Sequence, residues 1–280
     1  MPRLGDRRPQ QKNTLKTPMR ASLPKPILFC ESWFTPTNYE DLTEIVNDGA
    51  PERPTIVDFT NTHIAVLRLT DPSFRRWTDS IDYFVPDSTP LTWCVNAVAG
   101  TPVMPERVYG PEFMRLCLKE APATTRHYFL GGTEECLADL ISRMEKTNPH
   151  LNICGSHHGY LAKQEWPEVC SRIKTCTPDI IWVGLGTPRQ QEFSSWLKSQ
   201  LEKGWLLNVG FAFDVNAGHK SDAPKWMQSL ALTWLYRLAC EPKRLGPRYV
   251  KFNSLFLLYA CEWFMKNNMP TFWKKTVRRG

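Results

Sequence analysis

Near-continuous runs of apolar residues alternate with helix-like segments along this chain, and this alternation constrains the fold more than any other feature. Strands buried on both faces of a parallel sheet read as such runs, whereas half-buried strands alternate apolar and polar residues. The candidate strands are residues 55–60, 83–86, 126–132, 151–156, 179–186 and 205–210. The sequence therefore predicts an α/β fold with a mostly parallel sheet and flanking helices.

The segments between these runs have helical patterns. The clearest start is Asp71-Pro72, an aspartate N-cap followed by proline at the first helical position. Further helices are predicted over residues 112–120, 134–146, 164–175, 188–202 and 223–238. Because ligands bind beyond the carboxyl ends of parallel strands, the residues that follow each strand are the first candidates for a functional site.

Charge divides the chain into three parts. Residues 1–26 carry seven basic residues against one acidic residue, residues 237–280 carry ten against two, and the middle has a net charge of −7. We therefore expect a disordered basic tail over residues 1–26, an α/β domain over residues 27–236 and a basic amphipathic appendage over residues 237–280. Basic ends of this kind indicate an anionic partner, either a membrane or a nucleic acid.

The predicted helix over residues 249–266 has an apolar stripe at helical spacing. Its members are Phe252, Leu255, Phe256, Tyr259 and Trp263. Two interpretations are open: a terminal helix packed on the core, or an amphipathic anchor on anionic lipid, assisted by the cations that follow.

The location of the protein is constrained by what the sequence lacks. No apolar stretch reaches the roughly 18 residues that span a bilayer, and the N-terminus has no apolar signal segment. The nine cysteines form no C-x-x-C pair, which is typical of reduced cysteines in a cytosolic protein. We therefore expect a protein that is soluble or lies on a membrane surface.

The stretch "WVGLGTPRQQEF" (182–193) contains the most informative local pattern. An apolar strand ends at Gly186, and Thr187-Pro188 then opens a helix whose first turn carries Arg189 and Gln190. Exposed main-chain amides, the helix dipole and an arginine form a suitable seat for an anion such as a phosphate. The alternative is structural, because Thr187 as N-cap and Gln190 three residues later also fit a capping box.

Two polar residues follow other predicted strands. Asp87 comes directly after residues 83–86 and is either a helix cap or a general base. Asn61 follows residues 55–60, where asparagine is most often a turn residue. The histidines form no H-x-x-x-H pair and the acids no D-x-D pair, so no metal site is predicted.

Several stretches together resemble the WecG/TagA/CpsF family of bacterial glycosyltransferases, over roughly residues 30–250. The most specific are "GLGTPRQQE" and "LYRLACEPKR". The matching stretches include "TNTHIA" (60–65), "DYFVPDSTPLTW" (82–93), "PERVYG" (105–110), "HYFLGGTEE" (127–135), "IIWVGLGTPRQQEF" (180–193), "NVGFAFDVNAG" (208–218) and "LTWLYRLACEPKRLGPRY" (232–249).

The resemblance implies an enzyme that moves a sugar from a UDP donor to a polyprenyl-diphosphate-linked glycan, with inversion, without a metal and without a cofactor. The sugar would be of the N-acetylmannosamine, hexose or hexuronic acid type. The implied fold is Rossmann-like, with a C-terminal appendage that helps to close the site at the membrane. The implied location is cytoplasmic and peripheral, on an anionic membrane surface at the inner face of the cell membrane.

The family's functional residues fall on specific positions of this chain. Its general base falls on Asp87, and its polar partners fall on Asn61 and Gln190. With the anion seat described above, the substrate-binding candidates are Thr60, Arg107, Gly186, Thr187, Arg189, Arg237, Arg244 and Arg248, the last of which is shifted by one position from the family's arginine.

The chain also departs from the family pattern, which leaves a second function open. The departures are Phe59 for threonine, Ser88 for glycine, Gln191 for glutamate, Asp222 for arginine and Thr233 for glutamate. They favour, as an alternative, a catalytically degenerate nucleotide-sugar-binding or scaffold protein. Nucleic-acid binding is disfavoured because the acidic middle would interrupt a cationic groove, and an NAD-dependent oxidoreductase is disfavoured because no G-x-G-x-x-G opens a helix.

Overall fold

A computed structural model describes residues 23–268 of the 280-residue chain. The prediction of a disordered basic tail concerns mostly residues 1–22, which lie outside the described residues. Several cations of the predicted C-terminal appendage follow residue 268 and also lie outside them. The described residues form one eight-stranded sheet with twelve α-helices. The predicted α/β class is therefore confirmed.

All strand pairs but one are parallel. The order across the sheet is β1-β2-β4-β3-β8-β7-β5-β6, and only β1 and β2 are antiparallel. The six predicted strands are all present. The β1–β2 hairpin escaped prediction because three residues per strand are too few to show a pattern. The strands are β1 (Ile27–Phe29), β2 (Ser32–Phe34), β3 (Thr55–Thr60), β4 (Tyr83–Pro86), β5 (Arg126–Gly131), β6 (Asn152–His157), β7 (Ile180–Gly184) and β8 (Trp205–Asn208).

The helices follow the strands as crossover connections in the α/β part of the chain and as consecutive elements near its C-terminus. They are α1 (Tyr39–Asn47), α2 (Thr62–Thr70), α3 (Pro72–Thr78), α4 (Thr89–Ala99), α5 (Gly110–Glu120), α6 (Glu134–Thr147), α7 (Trp166–Cys176), α8 (Arg189–Lys198), α9 (Ala212–Ala217), α10 (Lys225–Ser229), α11 (Thr233–Cys240) and α12 (Pro242–Asn268). The predicted Asp71 cap is confirmed, since its carboxylate accepts from the main-chain amides of Ser73 and Phe74.

The helix predicted over residues 223–238 is wrong as a single element. The chain forms α10 and α11 instead, and Ala231 between them has a left-handed φ of 61°. The amide of Leu232 donates to the carbonyl of Met227 over 2.8 Å and closes the break. A main-chain hydrogen bond that ends a helix does not change the spacing of the apolar residues. The apolar pattern therefore predicted one continuous helix.

The apolar stripe of α12 packs on the core. The Phe29 ring of β1 lies 6.2 Å from the Phe256 ring and 5.2 Å from the Trp263 ring, centroid to centroid. The hydroxyl of Thr62 in α2 also donates to Asn253 of α12 over 2.9 Å. The stripe is therefore core, and association of the appendage with a membrane remains a prediction. Within residues 23–268, no helix combines the length and apolarity required to cross a bilayer.

Candidate active site

A cavity of about 290 Å³ lies at the carboxyl ends of β3 and β4, under α11 and α12. Residues from both halves of the chain line it. The sequence-predicted residues in its wall are Asn61, Asp87, Arg107, Arg237 and Arg248. Trp234, Tyr249 and Phe252 add an aromatic side. Convergent polar groups beside apolar walls are typical of a small-molecule site.

Asn61 reaches the cavity rim because of how β3 ends. It is the N-cap of α2, and its Oδ1 accepts from the main-chain amide of Ile64 over 3.2 Å. The interpretation of Asn61 as a turn residue is therefore wrong in detail: it caps a helix that was not predicted. The preceding Thr60 is fully buried and its hydroxyl donates to Asp58 over 2.8 Å, so Thr60 does not face the cavity.

Asp87 is not the cap of the helix that follows it. The N-cap of α4 is Ser88, and no side chain bonds to that helix start. Among the described residues, Oδ1 of Asp87 is buried without a hydrogen-bond partner. Of the two interpretations of Asp87, helix cap and general base, the structure therefore excludes the first.

The surroundings of Asp87 favour a carboxyl that exchanges its proton near neutrality. Burial raises the pKa of Asp87 to about 7, and the nearby Asp58 adds to the rise. Arg107, Arg237 and the main-chain amide of Gly110 oppose it. A carboxyl with a pKa in this range can act as a general base at neutral pH.

Three arginines converge on the same cavity. Arg107 donates from Nη2 to the hydroxyl of Thr233 over 2.9 Å and stacks over the Tyr109 ring at 4.3 Å. The guanidinium of Arg237 lies 3.9 Å from the ring centre of Phe211. Arg248 lies on α12, so the last described helix of the chain contributes to the site.

The other predicted residues do not line this cavity. Gln190 is buried at 3% exposure, and its Oε1 has no partner among the described residues. Arg244 is exposed and binds Glu241, and this hydrogen bond is the main reason why the pKa of Glu241 falls to about 2. The remaining predicted residues outside the cavity lining are Gly186, Thr187 and Arg189.

The capping box at the start of α8 is wrong. The N-cap is Pro188, which follows a cis peptide bond, and α8 begins at Arg189. Gln190 is thus only the second residue of the helix, and the hydroxyl of Thr187 accepts instead from Nε2 of Gln191 over 3.3 Å. Because the helix is capped one residue later than Thr187, Thr187 and Gln190 do not occupy the two positions of a capping box.

A buried polar network, which the sequence reading missed, lies behind the site. Asp58 of β3 has no exposed surface and accepts from Gln191 of α8 over 2.9 Å and from Asn208 of β8 over 3.1 Å. Ser194 donates to Asn208 over 2.6 Å. Burial raises the pKa of Asp58, and the hydrogen bonds from Thr60, Gln191 and Asn208 oppose the rise. The available signal was an aspartate within the otherwise apolar strand "TIVDFT".

Two departures from the family pattern have structural roles here. Asp222 accepts from the hydroxyl of Tyr109 over 3.0 Å and from the amide of Ala223 over 2.8 Å, so it orders the segment before α10. Thr233 binds Arg107 directly, as described above. Both residues therefore make specific contacts at or beside the cavity.

One cluster elsewhere has the donor types of a metal site. The ligand atoms of Glu135, Asp139 and His219 lie within 4.8 Å of one another, and all three residues are exposed. None of them lines the cavity, and His219 already bonds to Asp139 over 2.7 Å. The cluster therefore lies apart from Asp87 and from the cavity.

Comparisons with known proteins agree with this geometry. The model of the glycosyl transferase WecG/TagA/CpsF family matches residues 27–269. Similar proteins from Staphylococcus aureus strains NCTC 8325 / PS 47 and COL are 31% identical over 194 residues, which is 69% of this chain and 72% of theirs. The protein of strain MRSA252 is 30% identical over the same length. Each is named N-acetylglucosaminyldiphosphoundecaprenol N-acetyl-beta-D-mannosaminyltransferase.

Proposed function

This chain belongs to the WecG/TagA/CpsF family of glycosyltransferases, and we propose that it moves a sugar from a UDP-sugar to a polyprenyl-diphosphate-linked glycan. The names of its relatives support an acceptor that ends in N-acetylglucosamine and a donor sugar of the N-acetylmannosamine type. The product would serve the synthesis of a bacterial surface polysaccharide. The transfer would invert the anomeric centre and use no metal.

The proposed step is a single in-line displacement. An acceptor hydroxyl oxygen forms a bond to the anomeric carbon, and the bond from that carbon to the diphosphate oxygen of UDP breaks. The hydroxyl proton passes to Asp87, whose pKa of about 7 leaves a large fraction as carboxylate at neutral pH. A positioned base of this kind contributes roughly 10²–10⁴-fold.

The departing UDP carries a growing negative charge, which cavity arginines would stabilise. Arg107, Arg237 and Arg248 are the candidates, since all three line the wall that Asp87 shares. Charge-assisted hydrogen bonds from guanidinium groups suit phosphate oxygens, and fixed donors stabilise charge that develops in the transition state. In this proposal no metal is needed at the diphosphate.

The remaining predicted residues have supporting roles. Asn61 would orient the donor sugar or Asp87 from the neighbouring strand end. The proposed anion seat at the start of α8 would comprise Gly186, Thr187, Arg189 and Gln190. Thr60 would act through its hydrogen bond to Asp58 of the buried network. Arg244 would first have to leave Glu241 before it could contact a substrate.

The exposed side of α12 supports a position on an anionic membrane surface, at the cytoplasmic face. Val250, Leu258 and Met265 expose 72%, 65% and 59% of their surface. Leu257, at 61%, also lines the cavity, so the same helix borders both the solvent and the site. Apolar residues of this kind, with cations on the same helix, would bring the enzyme to its lipid-linked acceptor.

One observation carries the proposal: a buried carboxyl with a pKa near 7 shares a small cavity with three arginines. The test is UDP release from a panel of UDP-sugars, with a short-chain lipid-diphosphate-linked N-acetylglucosamine acceptor. Acceptor-dependent release with one donor supports the enzyme. UDP binding without release from any donor would instead support the degenerate, nucleotide-sugar-binding alternative.

A further inference from the structure

Neutral groups hold all three cavity arginines. Arg107 donates to the hydroxyl of Thr233 and, over 3.4 Å, to the main-chain carbonyl of Asp87. Arg237 lies on the face of the Phe211 ring. Within the described part of the chain, none of the three lies in ion-pair contact with a carboxylate, although arginines elsewhere do, such as Arg75 with Glu31.

The partner of Arg248 is the least expected of these groups. Nη2 of Arg248 donates to Nδ1 of His63 over 2.5 Å, and the His63 ring packs against Phe252 at a centroid distance of 4.1 Å. An imidazole that accepts from a guanidinium is neutral. Burial, followed by repulsion from Arg248 and Lys251, lowers the pKa of His63 to about 3, so the ring stays neutral at physiological pH.

A neutral acceptor and a carboxylate have different effects on a binding arginine. Both fix the direction of the guanidinium. A carboxylate also cancels most of the electrostatic field of the guanidinium and competes with an incoming anion. A neutral imidazole or hydroxyl does not neutralise the positive charge. Nε of Arg248 is also buried without a partner among residues 23–268, so one N–H donor of this guanidinium has no acceptor there.

We propose that His63 is a positioning residue that holds Arg248, without an ion pair, for the diphosphate of the donor. The inference rests on the proposed function, because it concerns how the site would bind UDP.

The decisive variant is His63→Glu. A carboxylate at this position would bind Arg248 more strongly than imidazole does. If His63 merely supports the fold, His63→Glu should therefore leave UDP affinity unchanged or improve it. If His63 keeps Arg248 uncompensated, the same variant should weaken UDP binding by about tenfold or more while the melting temperature stays equal or rises.

Two further variants of the full chain complete the test. His63→Asn places an amide oxygen near the position of Nδ1 and should keep UDP affinity within about threefold of wild type. Ser254→Glu adds the same charge as His63→Glu to an exposed position of α12 outside the cavity lining, and should change nothing.

UDP affinity is measured by calorimetry, with melting temperatures in parallel. Wild-type UDP affinity for His63→Glu overturns the inference, as does an equal loss in His63→Asn and His63→Glu. A wild-type protein that neither binds UDP nor releases it from any UDP-sugar would overturn the proposed function itself. The two failures are therefore distinguishable.

Discussion

The main-chain amide of Asp87 donates to the carbonyl oxygen of Thr60 over 2.8 Å. This bond extends the pairing of β4 with β3 by one residue, beyond the Thr60–Pro86 register. It fixes Asp87 beside Asn61 at the rim of the cavity. A residue held by main-chain pairing keeps its direction without side-chain partners, which leaves its carboxylate available to a ligand.

Asp87→Asn should reduce sugar transfer by at least about 10²-fold while UDP binding stays within about threefold of wild type. The amide has the shape of the carboxyl but cannot accept the hydroxyl proton. Transfer is measured as UDP release and binding by calorimetry. Unchanged turnover in this variant would remove Asp87 from the mechanism.

The pH dependence of transfer should follow the ionisation of Asp87. Burial raises its pKa to about 7, and only the carboxylate form accepts a proton. We therefore expect kcat/KM to be constant well above pH 7 and to fall about tenfold per pH unit well below it. A profile that is flat between pH 5 and 8 would contradict the assignment.

The same pKa predicts a stability effect. In the unfolded chain an aspartate ionises near pH 4 (~3.9), so between there and about pH 7 the folded chain binds the proton more tightly than the unfolded chain. The free energy of unfolding therefore falls as pH rises through this window, and it stays lower above it.

Asp87→Asn removes this unfavourable contribution and should raise the free energy of unfolding at pH 8 by ~1–3 kcal/mol, after allowance for screening by solvent in the cavity that Asp87 lines. The gain should be smaller at pH 5, where the folded carboxyl is protonated. Urea unfolding at both pH values measures it. Equal gains at the two pH values would show that the effect is not electrostatic.

Gln191→Glu should destabilise the fold by about 3 kcal/mol at pH 8, because it places a second carboxylate against the buried Asp58. The double change Asp58→Asn, Gln191→Glu moves the single charge from strand to helix and should recover most of the loss. Urea unfolding of the single and double variants gives the coupling energy. Additive losses would show that the two side chains do not interact.

Leu258→Asp should reduce co-sedimentation with anionic vesicles by about threefold or more at low salt, since it places a charge on the exposed apolar side of α12. Tyr160→Asp is the matched control: its ring is 73% exposed but lies outside α12. Truncation of α12 would be less informative, because Phe256 and Trp263 belong to the core packing. Equal binding by both variants would place the membrane contact elsewhere.

The local features of this protein were readable from the sequence. Six strands, their parallel arrangement and the position of Asp87 after a strand all follow from continuous apolar runs and from the residues that end them. Such patterns record which faces of an element are buried, and burial on both faces is a local property of a strand. The family motifs likewise predicted five of the residues that line the cavity, namely Asn61, Asp87, Arg107, Arg237 and Arg248.

The tertiary structure alone decided which partners meet. Periodicity showed that the Phe256 stripe was apolar but not whether it would bury itself on lipid or on Phe29. Nothing local indicated that Gln190 would turn away from the cavity, or that His63 and Arg248, 185 residues apart, would bond. Contacts between distant segments depend on how whole elements pack, and the chain sequence around one residue carries no record of the residue that packing brings against it.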